Sequence, residues 1–260
     1  MSEQLRSIIT PAVIRDVRDF WFEHIPDSHE LFVPGAAANQ RWYFGGEAVD
    51  KICVAKYGTT LQALKQANVV SGQDVLDAVR PEKPLDWLGL ILLLDQMPRN
   101  CYRGASSAVV FEYFDKLAVA VAQAAVKAGI PERSPEIRWQ SAYRSFFYLP
   151  LQHSEDRLIH DEAIRQCRLM GEDLNSLAAQ QEAPTPEEDD GFKLQAWQAV
   201  HKDVDAAKAL AVNQMDFQTR HTALIDKFGR YPHRNEALGR ENTAAETEHF
   251  ASGGDAFGGK

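Results

Sequence analysis

One segment limits the possible folds more than any other. Pro84 to Met97 carries Leu85, Leu88, Ile91, Leu92 and Asp95 on neighbouring turns of a helix, and Leu90 to Leu94 is an unbroken run of large aliphatic side chains. A helix that is apolar nearly all round cannot lie on a surface, so this one is predicted to sit at the centre of a core with other elements wrapped about it. It is far short of the ~20 apolar residues that a membrane span needs, so a bilayer is not its solvent. With 260 residues and 45% apolar side chains, the chain can supply the surrounding layers.

Those layers read as helices. Thr10 before Pro11 is a cap with proline at the first helical position, and Val13, Val17, Phe20 and Trp21 follow at helical spacing to about Phe22. His24 to Phe44 is broken by Pro26, Pro34 and Gly35 and reads as irregular. Gly45-Gly46 opens a helical stretch through Val49, Ile52, Cys53 and Tyr57 that Gly58 is expected to end, with a short helix over Leu61 to Ala67. Ala105 to Gly129 reads as one long helix, Ser134-Pro135 to about Leu149 as another, and Ser154 as the cap of a third that reaches Gln181. After the acidic, proline-bearing loop Glu182 to Gly191, helical pattern returns from Phe192 to Phe228 with one break, and Gly229 and Pro232 stop it. Thr243 and Glu246 form a capping box for a last short helix. No alternating strand pattern occurs in this reading. The expectation is an all-α chain with one domain over 1–251 and a flexible Gly-rich tail over 252–260.

Charge and cysteines narrow the partners and the compartment. Lys and Arg number 28 against 37 Asp and Glu, so 28 − 37 gives −9, and nothing in that balance draws a phosphate backbone: no nucleic acid is expected. Cys53, Cys101 and Cys167 are an odd number without close spacing, the N-terminus is polar, and no glycosylation sequon occurs, all of which fit a cytoplasmic protein without a membrane anchor.

Three polar groupings exceed what a core needs. In the first, Asp95 lies towards the end of the apolar helix, where the helix dipole disfavours a carboxylate, and Arg99 and Arg103 recur at i+4 and i+8 beyond Pro98. An ion pair of Asp95 with an arginine, or a ligand role, would each account for it. The second, Tyr148 to Asp156, places His153 and Glu155 at a boundary between helices, with Ser154, Glu155 and Asp156 equally readable as a cap. In the third, His221 shares a helix face with Leu224, Ile225 and Phe228, and Arg230, His233, Arg234, Asn235 and Arg240 crowd the loop that follows. Guanidinium forks and imidazoles gathered this closely suit a carboxylate, phosphate or sulfate.

At these residues the chain resembles a family, the bacterial domain of unknown function 924. The likeness rests on Phe20-Trp21-Phe22, on Leu94 to Asn100 with Tyr102-Arg103-Gly104, on Tyr148-Leu149-Pro150 with His153 to Asp156, and on Phe228 to Asn235 with Leu238-Gly239-Arg240. Met97 stands where the family usually has Phe, and Asn242 where it often has Ser. The resemblance implies an all-helical, tetratricopeptide-repeat-like array in which the blocks meet. The repeat consensus itself, at a period of 34 residues, does not occur in this chain, so any such repeat is degenerate.

The residues support three functions. The first is a cleft for a small anionic molecule, held by Asp95, Arg99, Arg103, Tyr148, His221, Arg230, Arg234 and Asn235, with His153, Glu155 and His233 as candidate catalytic acid–base groups and Glu155 or Asp95 orienting the imidazole. On this reading, replacing Arg230 or His233 abolishes binding without loss of stability. The second, a metal-dependent enzyme, would draw on His153, Glu155, His221 and His233, but no H-x-x-x-H or E-x-x-H spacing supports it, and no metal or cofactor is assigned. The third is a helical module for a protein partner, with Trp42, Tyr43, Trp139 or Trp197 as anchors.

Overall fold

The computed structural model describes residues 2–257. It contains α-helices α1 (Ser2–Ile8), α2 (Pro11–Phe22), α3 (Ala36–Phe44), α4 (Gly46–Gln66), α5 (Gly72–Val79), α6 (Pro84–Cys101), α7 (Asp115–Lys127), α8 (Ile130–Arg133), α9 (Pro135–Arg138), α10 (Ser141–Phe146), α11 (Leu149–Gln152), α12 (Arg157–Ala179), α13 (Phe192–Lys202), α14 (Val204–Phe228) and α15 (Ala244–Ala251). Among the described residues there is no strand, and no helix is long and apolar enough to cross a membrane.

Helix α6 occupies the centre, as its composition requires. Every residue from Leu88 to Pro98 is buried, and α2, α4 and α7 pack around it. Gly89 permits the close approach of α2: a Cβ there would lie 2.4 Å from the Ile14 carbonyl oxygen. The caps of α2, at Thr10, and of α15, at Thr243, form as expected, and Gly229 ends α14 in the left-handed region at φ 67°. The break between α13 and α14 falls at Asp203, whose side chain caps the second helix.

Elsewhere packing overrides local signals. Gly58 does not end α4, because Tyr57, Leu61 and Leu64 on either side of it are all buried and hold the helix through the ~1 kcal/mol cost of glycine. Pro98, whose ring removes a backbone bond and would be expected to turn the chain, does not: α6 runs on to Cys101, with Tyr102 N–H donating to the Pro98 carbonyl. The segment 105–129 is not one helix. A 3-10 turn at Gly104–Ser107 and a π turn at Val110–Phe114 precede α7, which stops at Gly129 in the left-handed region. The segment 135–149 divides into α9 and α10 at an extended Gln140, and Pro150 enters the first turn of α11 instead of stopping a helix. Asp156, not Ser154, caps α12, its carboxylate accepting from Leu158 N–H.

The last described segment touches the body. Arg220 pairs with Asp255, and Phe257 stacks on His221 with ring centroids 3.6 Å apart.

Candidate functional site

The end of α6, the π turn before α7, the α11–α12 junction, the end of α14 and the loop after it enclose a cavity of about 390 Å3. Its walls include Arg99, Arg103, Phe111, His153, His221, Tyr231, His233, Arg234 and Phe257. The π turn has a visible consequence here. It places Phe111 on the cavity wall while Phe114 and Asp115 stay buried, and the Arg234 guanidinium lies 4.6 Å from both the Phe111 and Tyr231 rings.

Behind the wall sits a polar network centred on Asp95, which is 1% exposed. His153 Nδ1 lies 2.8 Å from Asp95 Oδ1, and Gln96 Nε2 donates to Oδ2 at 2.6 Å. Arg99 Nη2 reaches Asp95 at only 3.4 Å and donates instead to Asp115 Oδ1 at 2.6 Å. Asp115 also faces Arg234 Nη1 at 3.4 Å, and Arg234 Nη2 donates to the His153 carbonyl at 2.8 Å. One sealed carboxylate thus ties together two arginines of the wall. Burial alone would raise the Asp95 carboxyl, but the Arg99 charge and the hydrogen bonds that the carboxylate accepts from His153 and Gln96 outweigh it and hold the group below the usual carboxylate range.

Asp95 can only accept, so His153 carries its proton on Nδ1 and presents a bare Nε2. That nitrogen has no partner among the described residues and remains open at the cavity. Burial and the Arg99 charge lower the His153 pKa, against the pull of Asp95, so the ring is neutral at pH 7. His221 repeats the arrangement. Its Nδ1 lies 2.8 Å from the Phe217 carbonyl, where two lone pairs would repel, so this nitrogen too is protonated. Gln152 Nε2 is placed 2.8 Å from the same Nδ1; the two ends of a side-chain amide have the same shape, so with Nδ1 protonated the amide is read with its ends exchanged and its oxygen towards the ring. Burial pushes His221 down to about 3. His233 is also pushed down to about 3, by burial and then by Arg234, and its Nδ1 is sealed without a partner.

Of the residues expected at a site, the structure brings Asp95, Arg99, Arg103, His153, His221, His233 and Arg234 to or directly behind one cavity. Arg103 is the outermost, held by Asp50 through two hydrogen bonds of 2.9 and 2.7 Å. Four others lie elsewhere. Tyr148 meets Arg144 Nε at 2.6 Å in a separate buried cluster. Arg230 grips Glu246 at 2.7 and 2.8 Å, and Asn235 donates to Asn242 and Glu246, so both fasten the start of α15. Glu155 accepts from Arg240 at 2.9 and 3.1 Å and from Tyr231 N–H at 2.8 Å. Its carboxylate therefore fixes the loop, and the His153 imidazole is oriented by Asp95. With Glu155 engaged in this way, the set His153, Glu155, His221 and His233 is not assembled, and among the described residues no three metal-ligating side chains converge.

Sequence reading missed Asp115, Phe111, Tyr231 and Phe257. Asp115 gave no signal, because a carboxylate in the first turn of a helix is ordinary. Tyr231 was visible in the third grouping, but not that its hydroxyl would donate to the Gln152 carbonyl at 2.5 Å and tie the loop to α11.

A family model for bacterial proteins of unknown function, DUF924, matches residues 17–254, nearly the whole chain. The chain belongs to the DUF924 family. A solved structure, that of the protein of unknown function ATU0120 from Agrobacterium tumefaciens, is 24% identical to this DUF924 chain, with a TM-score of 0.57 over 94% of this chain and 99% of that one. At that identity the likeness speaks for the fold alone. No curated protein matches this DUF924 chain.

Proposed function

We propose that the cavity binds a small anionic molecule and that the Asp95–His153 pair performs acid–base chemistry on it. The observation that carries this reading is the His153 ring, with Nδ1–H directed at a sealed carboxylate and Nε2 open at the cavity. A neutral imidazole held in one tautomer can take a proton from a ligand O–H or C–H, or from a water. The imidazolium so formed is stabilised by Asp95 and returns the proton to the product. Arg99, Arg234 and Arg103 supply the positive wall, and Asp115 keeps the first two in place.

Protein binding has less support. Of the proposed anchors Trp42 and Trp139 are buried, Trp197 is half-buried with its indole N–H on the Gln180 carbonyl, and Tyr43 alone is 42% exposed. A repeat-like stacking of helix pairs, with α12 against α14 as the most extensive pairing, remains part of this proposal, as do a single domain and a cytoplasmic site of action.

The test is untargeted. Purified protein is incubated with a metabolite extract, and the extract is compared by mass spectrometry with one treated with His153→Gln protein. Depletion or enrichment of a metabolite by wild type alone supports the reading. Identical extracts, together with no small molecule retained by the wild type on rapid gel filtration, sink it.

A further inference from the structure

The cavity carries more specific information than its charge. Two imidazoles on its wall, His153 and His221, take the same tautomer from carbonyl and carboxylate oxygens that only accept, Asp95 Oδ1 at 2.8 Å and the Phe217 carbonyl at 2.8 Å, with the Gln152 amide turned to present its oxygen to His221. Each therefore shows the cavity an Nε2 lone pair with no partner among the described residues. A neutral Nε2 of this kind accepts a hydrogen bond and has no proton to give. On the same wall Arg99 Nη2 is committed to Asp115, while Arg99 Nη1 has no partner among the described residues and is not sealed from the cavity. Guanidinium nitrogens can only donate. The site thus pairs donors suited to an anionic head with two acceptors that an anion cannot satisfy.

We infer that the ligand is a small hydroxylated anion, a carboxylate or phosphate ester carrying hydroxyl groups, whose charge is held by Arg99 and Arg234 and whose hydroxyls donate to Nε2 of His153 and His221. This deepens the function proposed above and rests on it. His221 is the specificity-determining residue: it accepts a hydroxyl proton in a hydrogen bond, while the hydroxyl at His153 is the one from which a proton can be taken. A buried acceptor left without a donor weakens binding, so an analogue lacking the hydroxyls binds less tightly than its hydroxylated partner.

The experiment uses matched probes on the full chain, by isothermal titration or by shifts of the histidine ring signals: glycerate against propionate, and glycerol 3-phosphate against propyl phosphate. The expected result is at least about tenfold tighter binding of the hydroxylated member of one pair. That ratio falls below about threefold in His221→Phe and is partly restored in His221→Gln, which keeps an acceptor oxygen. The pair that responds identifies the anionic head. If probes bind but neither pair shows a preference, the hydroxyl inference is overturned while the anion site stands. If no probe binds, both readings fall. A wild-type preference that persists unchanged in His221→Phe removes His221 from the role.

Discussion

Two buried clusters in this molecule use nearly the same residue types to opposite effect. In one, Arg144, 1% exposed, donates to Asp173 at 2.6 Å and to the Tyr148 hydroxyl at 2.6 Å, and Arg138 closes on the same Asp173 at 2.6 and 3.0 Å. No side-chain nitrogen or oxygen of Arg144, Asp173 or Tyr148 is sealed without a partner, and none of these residues lines the cavity. In the other, Asp95, Asp115, Arg99, Arg234 and His153 are tied together from behind, yet Nε2 of His153 and Nη1 of Arg99 stay open at a cavity. Arg144 commits Nε and Nη1 to the fold and its remaining Nη2 faces no cavity, whereas the second cluster turns its unpartnered Nε2 and Nη1 towards one. Buried charge is therefore a poor marker of function, whereas unpartnered donors and acceptors on a cavity wall are a good one.

The largest expected effect breaks the sealed cluster. Arg144→Met removes the buried donor to Asp173, the Tyr148 hydroxyl and the Arg138 carbonyl, and although Arg138 still holds the carboxylate we expect a loss of about 3 kcal/mol in urea denaturation from these lost bonds. A loss below 1 kcal/mol would erase the contrast. Acid should come next. His221 has its folded pKa near 3, below the unfolded value of 6.5, so the unfolded chain takes up the proton first as pH falls. Its contribution is fully present above pH 6.5 and is lost towards pH 3, on the order of 2 kcal/mol by pH 5. Denaturation at pH 7 and pH 5 measures this, and His221→Phe should shrink the difference by about that amount, leaving the part due to His233, which is also pushed down to about 3.

His153→Gln sharpens the comparison from the other side. It removes the open base while the amide can still donate to Asp95, so the stability change should stay within about 1 kcal/mol while any turnover found with wild type disappears. A variant as unstable as Arg144→Met would move His153 into the scaffold. The smallest effect on the site is expected from Arg230→Ala. The guanidinium holds Glu246 outside the cavity, so probe affinity should change less than twofold, and the visible change should be earlier protease cleavage near α15. Abolished binding would restore the ligand role that the sequence suggested.

Much of this molecule could be read from the chain. The apolar surface of Pro84 to Met97 can be satisfied only by surrounding it, so the central position of α6 follows from composition. The caps at Thr10 and Thr243 and the stop at Gly229 are local chemistry, decided by a side-chain oxygen or a missing Cβ within a few residues. The three polar groupings also stood out, because a core does not need Asp95, His153 or a cluster of arginines.

Tertiary structure decided which of those polar groups face a cavity and which face one another. Glu155 and Arg230 look like site residues in sequence, but each found its counter-ion across a loop, in Arg240 and Glu246. Asp115 looked ordinary and became the link between Arg99 and Arg234. Charge pairing in a folded chain depends on distances between residues far apart in sequence, 85 positions for Glu155 and Arg240 and 58 for Asp95 and His153, and spacing carries no record of those distances. The sequence determined that buried charge must be paired, and only packing determined which nitrogens were left over.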